Sequence, residues 1–122
     1  MPEHYVTNQD ENGSVSISED VIAVMVTASV AEVEGVAGLS NTVGPELQEF
    51  LGKRSVSKGI KVAFEDGVVV IDVLITVRYG YAVADVARKV QEEVYSSVDS
   101  MTNLKGKINV HVTGIAFDKS VG

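Results

Sequence analysis

The residues able to carry chemistry are few, and their spacing decides against most of it. His4 and His111 are the only histidines and cysteine is absent. Thiolate chemistry, a disulfide framework and a recognisable zinc set are therefore all missing, and no cofactor is expected. His111 lies between Val110 and Val112, so strand alternation puts it with Asn109 and Thr113 on a polar face. A general base there needs a hydroxyl nucleophile and an orienting acid. No local spacing supplies them, and a solvated strand histidine is the preferred reading. The carboxylates point the same way. Glu46, Glu49, Glu92 and Glu93 fall at exposed helical positions, Asp72 has Lys61 to pair with, and none sits in an apolar pocket that would tune it for proton transfer.

Nucleotide and phosphate motifs are incomplete. Gly35-Val36-Ala37-Gly38 has the spacing of the loop that clamps nucleotide backbone in KH domains. No basic residue flanks it, so a glycine that stops a helix followed by a loop glycine explains it better. A KH-like module binding single-stranded nucleic acid is kept as the alternative. Gly52-Lys53 lacks the partner glycine of a P-loop and has no Ser or Thr after the lysine. Gly38-Leu39-Ser40 is no nucleophile elbow, because Thr42 stands where the second glycine belongs. Lys53, Arg54, Lys58 and Lys61 gather four of the ten basic residues into one short stretch. That stretch is either a solvated loop or a contact for an acidic partner or anionic surface.

Three elements must position these groups. The central one is the hairpin Gly59–Tyr79, in which Ile60, Val62 and Phe64 alternate with polar or small residues before the turn Asp66-Gly67. After the turn, Val69, Ile71, Val73, Ile75, Val77 and Tyr79 keep a period of two. Counting outward from a type I′ turn pairs Phe64 with Val69, Val62 with Ile71 and Ile60 with Val73, and sets Lys61 opposite Asp72.

The second element is a helix expected over residues 19–34, capped by Ser18 with Glu19 and Asp20 in its first turn and stopped by Gly35. Ten of the thirteen residues 21–33 are apolar, which is more than one buried stripe requires. Ile22, Met25, Val26, Ser29, Val30 and Val33 form one face. Val21, Val24, Ala28 and Ala31 form a second face of smaller residues that also needs cover, from a neighbouring helix or from a partner. This second face is the candidate self-association surface.

The third is a helix over residues 83–98, with Val83, Val86, Val90, Val94 and Val98 on one side and Asp85, Lys89, Glu92 and Glu93 on the other. Around these, Gly13–Ile17 and Val36–Ser40 read as short strands. Pro45 and Gly52 bracket a short helix, and Lys107–Phe117 reads as a last strand with Gly114 marking a bulge or a close backbone approach. Residues 1–12 and 118–122 read as tails around one domain, residues 13–117. The expected class is α+β: a small mixed sheet built on a central antiparallel hairpin, with two long helices and one short helix mainly on one face.

The net charge of −7 disfavours generic binding to nucleic acid or to a bare anionic membrane. The longest apolar run, residues 21–26, falls far short of the roughly 20 residues needed to span a bilayer. No signal peptide is apparent, so a cytoplasmic location is expected.

Several stretches, in order, resemble the alkaline shock protein family, also called the envelope stress response family, of Gram-positive bacteria. They include Gly13-Ser-Val-Ser-Ile-Ser-Glu-Asp-Val-Ile-Ala23, Glu32-Val-Glu-Gly-Val-Ala-Gly38, Lys58-Gly59-Ile-Lys-Val62, Val77-Arg-Tyr-Gly80, Val86-Ala-Arg-Lys-Val-Gln91 and Val110-His-Val-Thr-Gly114. One departure is Tyr81-Ala82-Val83-Ala84, where family members often open the following helix with proline. The resemblance implies a small cytoplasmic α+β protein without catalysis that self-associates. Some members are held at the inner face of the membrane by a separate anchoring protein, and the resemblance implies a role in envelope homeostasis.

Overall fold

Asp66 and Gly67 set the register of the sheet. In the computed structural model, which describes residues 5–40 and 59–117, both adopt positive φ, 48° and 80°, as the type I′ turn demands. The described elements are β1 (Tyr5–Asp10), β2 (Gly13–Ser18), α1 (Glu19–Ala31), β3 (Val36–Leu39), β4 (Ile60–Glu65), β5 (Val68–Arg78), α2 (Val83–Thr102) and β6 (Lys105–Ala116). β4 and β5 pair antiparallel with Phe64 opposite Val69, Val62 opposite Ile71, Ile60 opposite Val73 and Lys61 opposite Asp72. That is the register counted from the turn.

β5 is the centre of the sheet. β4 pairs with its first half and β3 pairs antiparallel with Ile75–Val77, so those two strands lie end to end along one edge. β6 runs parallel along the whole of the other edge, and the register shifts by one residue where Ile75 meets Val112 and Thr76 meets Gly114. Of the two readings open at Gly114, this is the bulge. The sheet is mixed because β5 and β6 are joined by α2, whereas β4 and β5 are joined by a two-residue turn.

Helices α1 and α2 cover one face. Val69, Ile71, Val73, Ile75 and Val77 of β5 are at most 1% exposed and meet Ile22, Val26 and Val30 of α1 and Val90, Val94 and Val98 of α2. The helices approach each other where Ser29 and Ser97 bring their hydroxyl oxygens to 2.6 Å. A small polar residue at that point lets the backbones close up, and the hydrogen bond removes the cost of burying its hydroxyl. Ser18 caps α1, its side chain accepting from the Val21 N–H at 3.2 Å.

The differences from expectation are local. Residues 1–12 read as a loose tail, yet Tyr5–Asp10 pairs in full with β2. Its short polar run gives no period-two signal of its own, and the pairing with β2 supplies the order. α1 ends at Ala31 rather than Glu34: the Glu32 N–H turns back to Ser29 O and Val30 O, and Gly35, with φ of 99°, stands in the turn beyond. α2 continues to Thr102, where Asn103 takes the left-handed conformation with φ of 60° and closes it. The short helix expected between Pro45 and Gly52 lies outside the described residues.

Candidate functional site

Two places merit a test for function: the polar centre of the sheet and the outer face of α1. On the sheet face away from the helices, Asp72 of β5 is buried and His111 of β6 is only 20% exposed at its side chain. The parallel register sets His111 beside Leu74, one step from Asp72 along the face, and His111 Nε2 lies 3.0 Å from Asp72 Oδ1. Leu74 and Ala63 on the same face are also buried. His111 is thus a partnered, half-buried residue and not the solvated strand histidine expected. The bond satisfies a carboxylate that would otherwise be costly to bury.

This pair supplies two members of a relay, a carboxylate and an imidazole. A nucleophilic hydroxyl must present its proton to the imidazole. Thr113, next on that face of β6, instead donates its hydroxyl to Ile75 O at 3.3 Å. Among the described residues no group of three or more His, Asp or Glu side chains is placed to hold a metal ion.

The glycine pair also loses its nucleotide reading. Gly38 lies within β3, paired to Thr76, and Gly35 is packed under α2, where a Cβ would meet Val86 Cγ2 at 2.7 Å. No projecting loop remains there to clamp a phosphate backbone. Of the basic stretch, Lys53, Arg54 and Lys58 lie outside the described residues. Lys61 is half-buried on β4, opposite Asp72.

The face of α1 is different. Ile22, Val26, Ser29, Val30 and Val33 are buried, as the first face demands. On the second face Val24 is 69% exposed and Val21 50% exposed, with Ala28 and Ala31 exposed beside them. α2 packs against the Ser29 side of α1 and leaves this strip open. Four apolar side chains in one helical strip, on a helix whose other side already fills the core, are surplus to folding.

Residues 7–117 match the alkaline shock protein 23 family, described as having a cell envelope-related function. The chain belongs to this family. Among its relatives, YqhY of Bacillus subtilis is 36% identical over 107 residues, covering 87% of this chain and 79% of that protein. Spy1614 of Streptococcus pyogenes is 31% identical over 108 residues, covering 86% and 89%. A MamM CTD structure covers 79% of this chain and 95% of its own at 14% identity, with a TM-score of 0.46, too distant to speak to function. Membership of the alkaline shock protein 23 family agrees with the resemblance drawn from the ordered motifs. It extends the match upstream of Gly13 into β1. No helix among the described residues is long and apolar enough to cross a membrane.

Proposed function

We propose that this protein is a non-enzymatic, self-associating scaffold or adaptor that supports cell-envelope homeostasis and the response to envelope stress. Its place is the cytoplasm, at the inner face of the membrane, reached through an anchoring protein. The observation that carries the self-association is the uncovered strip Val21, Val24, Ala28 and Ala31 on α1. Small side chains on such a strip let a second helix come close, and burying them removes apolar surface from water at about 25 cal/mol per Å². The envelope assignment is supported by the family's description. The basic residues Lys53, Arg54, Lys58 and Lys61 offer an acidic partner a contact.

A charge at Val24 tests this. Val24→Glu places a carboxylate in the middle of the strip without touching the core, so the circular dichroism stays that of the wild type. The oligomer mass in light scattering falls. An unchanged mass removes this face from any interface between copies.

A further inference from the structure

Strand β6, at the edge of the sheet as described, is 12 residues long and free of proline. Among the described residues no strand pairs with its other edge. The direction of its polar groups follows from two contacts. Gln91 Nε2, on α2, donates to Ile108 O at 3.0 Å, so the Ile108 carbonyl is taken by a side chain. At the far end Ala116 O accepts from the Tyr79 N–H at 2.8 Å and therefore points toward β5. A residue's own N–H and C=O point to one side of a strand and alternate with those of its neighbours. Counting back from Ala116 through the one-residue bulge near Gly114 turns Val112, Val110, Ile108 and Gly106 outward, in agreement with the Gln91 contact.

Gly106 and Ile108 of this row border a cleft of about 450 Å³ between α2 and β6, lined also by Gln91, Glu92, Tyr95, Lys107 and Asn109. A helix lying beside an unpaired strand edge is the geometry in which proteins accept an additional strand. The cleft carries one lysine and one glutamate, so its charge selects neither an acidic nor a basic peptide.

We infer that the occupant is β6 of a second copy, paired antiparallel about a two-fold axis at Val110, so that one sheet runs through both protomers. A two-fold interface must be complementary to itself, and this strand meets that condition. Centred on Val110, Ile108 faces Val112 of the second copy and Asn109 faces its His111. The matched segment runs from Ile108 to Val112, ahead of the one-residue shift near Gly114. Apolar β-branched residues meet on the helix side, polar ones meet on the other, and no like charges are opposed. The Ile108 carbonyl has a second lone pair for the incoming strand, so Gln91 keeps its bond. The inference rests on the self-association reading and adds to it a surface remote from α1.

Two substitutions at Val110 isolate the main-chain pairing. Val110→Ala and Val110→Pro both remove the β-branched side chain, but only proline removes the outward N–H, and that donor takes no part in the β5 ladder. In light scattering at matched concentration, Val110→Ala keeps the wild-type mass and Val110→Pro loses half of it or more, with circular dichroism retained. A folded Val110→Pro protein of wild-type mass, or an equal loss in both variants, overturns the pairing. Should Val110→Pro fail to fold, Tyr95→Lys decides: Tyr95 is 47% exposed at the cleft, and an unchanged mass there overturns the pairing as well. A wild-type protein that is a single protomer sinks this inference together with the self-association reading. An oligomer reduced to protomers by Val24→Glu but indifferent to Val110→Pro sinks this inference alone.

Discussion

Gly35 holds a backbone conformation and a space that no other residue can use. Its φ of 99° lies in the region that side-chain-bearing residues avoid. A Cβ would also fall 2.7 Å from Val86 Cγ2 and 2.9 Å from Tyr81 Cδ2. The Tyr81 ring is partly exposed and can swing away, but Val86 is 4% exposed and is fixed by the core. Strain of about 1–3 kcal/mol from the backbone adds to the overpacking, so Gly35→Ala should lose about 2 kcal/mol or more. The measurement is the urea midpoint, and a midpoint equal to that of the wild type would mean that the turn relaxes freely. At this scale the sequence was legible wherever partners were close along the chain. Lys61 could be set opposite Asp72 because a two-residue turn and a period of two leave one register. His111 could not be assigned to Asp72, because the bond spans 39 residues and depends on β6 lying parallel beside β5. No local pattern encodes that choice of neighbour.

Among the elements, α2 starts without a cap. Ala82 occupies the capping position with extended φ and ψ of −70° and 110°, and it makes no side-chain cap hydrogen bond. This is the place where the chain departs from the family's usual proline, and the structure keeps the start at Val83 all the same. Packing holds it: Val86, Val90, Val94 and Val98 are each buried at 4% exposure or less. The missing cap is a local deficit that a hydroxyl can fill. Ala82→Ser should raise stability by about 0.5–1 kcal/mol, read as a higher thermal midpoint with an unchanged fold. No gain would mean that the extended backbone of Ala82 cannot aim a side chain at the helix end. Element existence and facing were readable because apolar periodicity is set by burial. The ends were less so: α1 stops three residues early, and α2 gains its last turn from Asn103. A helix end depends on which carbonyls find donors, and several residues near each terminus could have served.

At the scale of the whole molecule, stability is unevenly distributed. β5 is paired on both edges and backed by two helices, and Ile71, Val73, Leu74, Ile75 and Val77 are all 0% exposed. β1 and β2 form a separate two-stranded sheet, tied to the rest where β2 runs into the Ser18 cap of α1 and where Ile17 packs against the core. Two strands without a third are marginal in water. Native-state hydrogen exchange should therefore give a steep gradient. The ladder amides of β5 exchange only through global unfolding, while those of β1 exchange through local opening, several orders of magnitude faster in a domain of ordinary stability. The contrast follows from topology, since among the described residues β1 pairs only with β2. If β1 amides were instead as slow as those of β5, the hairpin would have to be clamped by a surface beyond its own sheet. Because β2 leads directly into α1, whose strip at Val21 and Val24 is uncovered, repeating the exchange on Val24→Glu would identify that surface. Protection of β1 lost together with oligomer mass would make the hairpin part of the contact between copies. Protection retained would place the clamp within the protomer.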